Sequence, residues 1–308
     1  GSALIYGFAG SVNFASIADA ISAKPSETAL LLIGVAMILV GLLFKIAAVP
    51  FHQWTPDAYQ GAPTAVTAFM STTVKIAAFG ALLRVLYVAF GGLRWDWEPM
   101  LWIVAILTMV VGSVIAVTQS DIKRMLAYSS VAQAGFIMVG VIATSAAGLS
   151  SVLFYLVAYG FTTIGAFAVI SIVRDSSGEA THLSKWAGLG KKSPVTATVV
   201  ALFMLSFAGI PLTSGFIGKF GVFAAAIDSG ATWLVIVAVV ASVVSAFFYA
   251  RVIVIMFFSE PTENTASVVV PSAFTTIVIA AGATVTVVLG ILPQPLLDLV
   301  DNAGLFLR

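Results

Sequence analysis

Apolar residues fall in long uninterrupted blocks along this chain, with polar residues confined to the gaps between them. After an apolar stretch at 1–10 and a polar connection at 11–26, apolar segments run over 28–60, 63–90, 99–118, 124–143, 150–173, 195–228, 232–258 and 272–292. A helix needs roughly 20 apolar residues to cross a hydrocarbon core of about 30 Å, and every block meets that length. The pattern predicts an all-α polytopic membrane protein: the end of one helix, then eight spans, forming a single membrane domain over 1–308. The first ten residues do not open on Met and lack the basic start of a signal peptide, so the chain is expected to begin partway through a larger protein. The tail from 292 onward reads as a short interfacial helix.

Two blocks are too long. Segments 28–60 and 195–228 each hold roughly 33 residues, about 50 Å as straight helix, so each needs an interruption. Proline removes a backbone donor and clashes with the preceding turn, which places the interruptions at Pro50 and at Pro211 in "FAGIPLTSG". Helices open at membrane depth only where the freed backbone meets protein or water. Two of them in comparable positions point to an inverted-repeat transporter and its ion pathway.

Composition agrees. The chain is 60% hydrophobic and 9% charged, against about 25% charged in soluble domains. Its 14 basic and 13 acidic residues form no basic stripe, so no nucleic-acid partner is expected, and lipid is the expected surroundings. With no cysteine the chain has no disulfide, thiol nucleophile or cysteine-held cluster of its own. Its two histidines do not suit metal or haem ligation, and no nucleotide fingerprint is present, so no cofactor or metal site is expected in this chain. Lys123, Arg124, Arg174, Lys185, Lys191 and Lys192 fall on one side of the predicted spans, and Lys24, Arg94 and Arg308 on the other. The excess of positive charge marks the first side as cytoplasmic. Counting 195–228 as two crossings would instead move Glu260 and Glu263 outside.

The chemistry lies in charges at depth. Lys45 in "GLLFKIAAVPFHQWTPD", Lys75 in "FMSTTVKIAAFG" and Lys219 in "GFIGKFGVF" are inside spans, whereas Arg84 and Arg251 lie near span ends, where long side chains reach the interface. All acidic residues fall in connections or at span ends, so none stands ready to pair with these lysines. A lysine able to exchange its proton near neutral pH can carry protons, and its charge can respond to a distant neighbour. Ser71, Thr72, Thr73, Gln133, Tyr155, Tyr159, Thr162, Thr163, Thr213 and Ser214 could hold water between the lysines, although each alone reads as a packing residue. His52, just past the first break, is placed either to gate protons or to serve an interfacial structural role; His182 reads as a surface residue. Trp54, Trp95, Trp97 and Trp102 fit an aromatic belt.

The runs "FKIAAVPFHQWTPDAYQGAPTAVTAFMSTTVKIAAFG", "SDIKRMLAYSSVAQAGF", "FYLVAYGFTTIGAFAV" and "LSFAGIPLTSGFIGKF" resemble the antiporter-like membrane subunits of respiratory complex I. The likeness is strongest to the branch holding the N subunit of the bacterial proton-translocating NADH:quinone oxidoreductase. It implies the end of the sixth helix through the fourteenth of a fold of two inverted repeats, in the inner (plasma) membrane. It also implies roles. Lys45 matches the lysine before the first break, paired in the family with a glutamate on an upstream helix; Lys75 matches the lysine linking two half-channels; Lys219 matches the lysine of the second discontinuous helix, near the outlet. Gln133 stands where many relatives have histidine, which puts a histidine relay there in doubt. NADH, FMN, iron–sulfur clusters and quinone would belong to other complex I subunits, with antiporter-like and small membrane subunits as neighbours. A subunit of a multi-subunit sodium/proton antiporter and a non-pumping membrane scaffold are the alternatives.

Overall fold

The computed structural model describes residues 1–23 and 28–302; Lys24 and Arg308 lie outside the described residues. Helices α1 (Ser2–Ala9) and α2 (Phe14–Ala23) meet at a 58° bend. The expected polar connection at 11–26 therefore contains a helix. Asn13 accepts hydrogen bonds from the amides of Ala15 and Ser16, capping its start, and Ile17 and Ile21, one turn apart, bury one face.

Helix α3 (Thr28–Ile46) stops ahead of Pro50 and is followed, after an irregular stretch at 47–53, by α4 (Trp54–Gly61). The crossing Thr64–Ala89 consists of α5 (Thr64–Phe69), a π-helical turn at Met70–Val74, α6 (Lys75–Arg84) and a second π turn at Val85–Ala89. Then come α7 (Arg94–Thr118), which starts ahead of the apolar block at 99, α8 (Ile122–Ile142) and α9 (Ala146–Ile172). A short helix α10 (Leu189–Lys192) leads into α11 (Pro194–Ala208) and α12 (Ser214–Asp228), which share the second long block. Helices α13 (Thr232–Phe258), α14 (Ala273–Ile291) and the amphipathic α15 (Gln294–Asp301) complete the described residues.

Among the described residues, seven helices are long and apolar enough to cross a membrane. The chain is a multi-pass membrane protein. The connections settle how α11 and α12 count. Strands β1 (Val173–Asp175), β2 (Gly178–Glu179) and β3 (Ser267–Val268) form a small antiparallel sheet in the order β2-β1-β3, joining the α9–α10 and α13–α14 connections. Lys191 pairs with Glu260 at 2.5 Å, and the Ile122 amide donates to the Thr181 carbonyl. Lys123, Arg174, Lys185, Lys191 and Glu260 thus share one face, so α11 and α12 together cross once and Glu260 lies on the same side as the lysines.

Helix α8 is the axis of the bundle: every residue from Ser129 to Ala143 is buried. It packs on α7 so closely that a Cβ on Gly112 would come 2.6 Å from the Ala132 nitrogen, a contact only glycine permits. Trp97, expected in the aromatic belt, is instead buried, its indole N–H donating to the Phe90 carbonyl at 2.9 Å.

Candidate functional site

A helix that stops inside a membrane leaves carbonyls with no intrahelical donor. In the second break, α11 ends at Ala208 and Gly209 turns into the left-handed region at φ 82°, before Pro211 is reached. Lys219, in the second turn of α12, reaches back and donates to the carbonyls of Phe207 (3.0 Å) and Ala208 (3.1 Å) and to the Ser242 hydroxyl (3.0 Å). Its ammonium also lies 4.6 Å from the Phe136 ring centre. The negative end of α11 is where a cation is favoured. Gly209 is needed twice, for its φ and because a Cβ there would come 2.9 Å from Lys219 Cδ.

The first break differs. Ala47 takes φ 64° immediately after α3, again before the proline, and the Val49–Pro50 peptide is cis. The Trp54 indole N–H donates to the Phe44 carbonyl (3.1 Å), and the Val49 amide donates to Thr108 Oγ1 on α7 (3.0 Å). Lys45 lies in the last turn of α3 with its side chain exposed, and among the described residues no hydrogen bond or ion pair joins it to the other lysines. His52 is half-buried with its ring 6.4 Å from that of Tyr128, and its Nδ1 has no partner among the described residues. His182 is exposed and bonds its neighbour Ser184.

Between the breaks a run of polar side chains crosses the core. Lys75, 2% exposed, follows directly on the first π turn, a distortion that often marks functional sites. It donates to the Ser130 carbonyl (2.5 Å) and hydroxyl (2.6 Å) on α8. The Tyr159 hydroxyl donates to the same Ser130 hydroxyl at 2.9 Å, and its ring centre lies 5.5 Å from the Lys75 ammonium. One residue earlier on α8, Ser129 bonds the Tyr249 hydroxyl at 2.5 Å. Gln133 then ties the second half together: its amide N–H groups donate to the Tyr249 oxygen (3.2 Å) and the Phe207 carbonyl (2.9 Å), while its carbonyl accepts from Tyr155. Because Phe207 also accepts from Lys219, the bonds run Lys75–Ser130, then Ser129–Tyr249–Gln133–Phe207–Lys219, with only the step between the adjacent serines unbonded. The structure thus joins Lys75, Tyr159, Gln133 and Lys219, and leaves Lys45 and His52 apart.

Sequence reasoning missed Ser129, Ser130 and Tyr249, because serines and tyrosines in apolar helices carry no depth signal until the helix on which they sit is known to be central. It also placed Lys123 in a loop. Lys123 is 3% exposed at the start of α8, donating to the Ala62 carbonyl at 2.8 Å and lying 3.7 Å from Glu179. Thr73, offered as a water-holding hydroxyl, is exposed on the outside of its helix. Thr162 meets Ser206 (3.3 Å) and Thr286 (3.1 Å) near the second break, a smaller polar cluster.

A helical bundle with two interrupted membrane helices and buried lysines beside them is the architecture of antiporter-like membrane subunits. The chain belongs to the NADH:quinone oxidoreductase/Mrp antiporter transmembrane family, whose model matches residues 1–245. Over its full length it is 63% identical to the NADH-quinone oxidoreductase subunit N of Rhodococcus opacus and 61% identical to subunit N 3 of Streptomyces griseus. It spans only 57% and 58% of those proteins. Its fold is similar to that of a chain in respiratory complex I from Thermus thermophilus with bound aureothin: TM-score 0.81, 35% identity, covering 96% of this chain and 64% of that one. A chain of the Mrp complex from Dietzia sp. matches with TM-score 0.85 and 27% identity, covering 99% of this chain and 62% of that one. The family read from the motifs is the family these comparisons give.

Proposed function

We propose that this chain moves protons across the plasma membrane as part of a proton-translocating subunit of NADH:quinone oxidoreductase, driven by redox chemistry elsewhere in the complex. The observation that carries the reading is the pair of hydrogen-bonded segments, Lys75–Ser130 and Ser129–Tyr249–Gln133–Phe207–Lys219, that meet at adjacent serines of α8 in the buried core. Lys75 takes up a proton and passes it by way of the Ser130 and Tyr159 hydroxyls; Ser129 and Tyr249 continue the path along α8; Lys219 holds the proton at the open end of α11. Gln133 cannot titrate, so it orients the Tyr155 and Tyr249 hydroxyls, and the charge passes it through hydroxyls and water. Lys45 acts from a distance, its charge set by an ion pair with a glutamate on an upstream helix and by neighbouring subunits, an electrostatic switch of the kind that needs no cofactor in this chain. NADH, FMN, iron–sulfur clusters and quinone act in partner subunits.

The fold similarity to the Mrp complex supports one second reading, a sodium/proton antiporter subunit; sodium-dependent transport without NADH would favour it. Identity of 63% to a subunit N weighs toward the oxidoreductase. The test is proton pumping and NADH:quinone activity in membranes carrying Lys75→Ala in the full-length subunit, with Lys75→Arg keeping the charge. Loss of both activities with Ala in an assembled complex supports the reading. Unchanged pumping refutes it and leaves the scaffold alternative.

A further inference from the structure

We propose that Glu179, on the hairpin between α9 and α10, is the carboxylate through which protons from the cytoplasmic face enter the path to Lys75; the proposal rests on the reading above and adds its inlet. Four observations meet there. First, α5, the turn after it and the first residue of α6 carry Thr64, Thr67, Ser71 and Lys75 at spacings of three and four residues, one stripe on one helical face, and all four are buried. The stripe is about 16 Å long, at 1.5 Å of rise per residue. Second, its outer end is closed by Glu179, which accepts the Thr64 hydroxyl proton. Third, Glu179 is the wet half of a pair whose other half is dry: its side chain is 26% exposed and that of Lys123 is 4% exposed. Fourth, Thr72 Oγ1, on the residue after Ser71, is buried with no hydrogen-bond partner among the described residues. Buried hydroxyls without partners mark places that water fills.

The three parts have separate tasks. Lys123, fixed by the Ala62 carbonyl, positions the carboxylate over the start of α5. The ladder register sets Arg174 opposite Glu179 on the hairpin, but its Nε donates to the Ser171 carbonyl, and Lys123 is the cation that stands 3.7 Å from the carboxylate. The hydroxyl stripe leads inward from it. The transfer is a simple one: the carboxylate takes a proton from bulk water, gives it to a water hydrogen-bonded along the stripe, and returns to its charged form, with no other bond made or broken. A carboxylate between solvent and a buried polar stripe is suited to this, because one oxygen can receive from outside while the other releases inward.

The test compares Glu179→Gln, Glu179→Ala and Glu179→Asp in the full-length subunit within its complex, in sealed membrane vesicles, with Lys75→Ala in the same preparation. Gln and Ala are expected to slow pumping by roughly tenfold or more while Asp retains it. Formate or azide on the cytoplasmic side should restore pumping to Glu179→Ala, because a small weak acid can replace a missing proton carrier. Wild-type pumping with Glu179→Gln overturns the proposal. So does slow pumping that no weak acid restores, which is the behaviour of an ion pair that only holds the hairpin. Full pumping by Lys75→Ala would refute the reading beneath the proposal, and that result is independent of anything Glu179 does.

Discussion

Replacing Lys75 with methionine separates function from stability. Methionine matches the length of the lysine stem, so the site is neither emptied nor overfilled. The two acceptors do not become bare: the Ser130 hydroxyl keeps the Tyr159 proton and the Ser130 carbonyl keeps its place in the α8 ladder. Their loss costs about 1.5 kcal/mol each, the low end for bonds to a charged group, because neither acceptor is left bare. Losing the contact between the ammonium and the Tyr159 ring costs up to about 2 kcal/mol at a desolvated site. Against this, a charged ammonium no longer has to be stripped of water, which costs several kcal/mol even after the protein relaxes. The losses and the gain come close to cancelling. Lys75→Met should therefore assemble and unfold at about the same temperature as the natural protein, while pumping is lost. Thermal unfolding of the purified complex and vesicle pumping on the same preparation check both halves. A fall of more than about 5 °C in the unfolding temperature would refute the reasoning, because it would make Lys75 a structural residue.

Gly209→Ala should cost about 1–2 kcal/mol for a left-handed alanine and move Lys219 off the Phe207 and Ala208 carbonyls, so both thermal stability and pumping should fall. Gln133→Leu leaves the Tyr155 hydroxyl without its acceptor and should destabilise by about 1–3 kcal/mol, whereas Gln133→His, which can still bond Tyr155 and Tyr249, should keep pumping; the pair is read by the same two assays. The Asp175 carboxyl is held below its ordinary range by hydrogen bonds from the Ser177 hydroxyl and amide and by Lys185 nearby. A depressed value means its contribution to hairpin order is present above the ordinary carboxylate range and is lost as pH falls through the folded value. Protection factors of the amides in 173–179, which divide out the intrinsic pH dependence of exchange, should therefore hold at neutral pH and fall only in acid, and Asp175→Asn should remove that dependence.

Apolar runs of membrane length are hard to misread, and α8, α9, α13 and α14 lie where such runs predict them. The two breaks were legible from Pro50 and Pro211, yet both helices end earlier, at Ile46 and Ala208, because the left-handed residues Ala47 and Gly209 and not the prolines make the turns. Helix α2 was not legible: its two buried isoleucines are too few for a periodic signal among polar residues. The π turn before Lys75 has no sequence mark at all. Of the candidate site, the lysines stood out because charge in an apolar run is conspicuous. Ser130 and Tyr249 did not, since their importance comes only from facing Lys75 and Gln133 across helix contacts. The block holding Lys123 was started two residues late, at 124 against Ile122, and those two residues separate a connection from a buried lysine paired with Glu179.

If Lys75 and Lys219 belong to one path, breaking it twice should do no more than breaking it once. The decisive measurement is the proton-pumping rate of Lys75→Ala, Lys219→Ala and the double variant in assembled complexes, normalised to NADH:quinone turnover where turnover survives. The double variant should pump no worse than the slower single variant. Losses that multiply would put the two lysines on separate routes, and single variants that pump normally would mean that the bonded chain from Lys75 to Lys219 carries no protons.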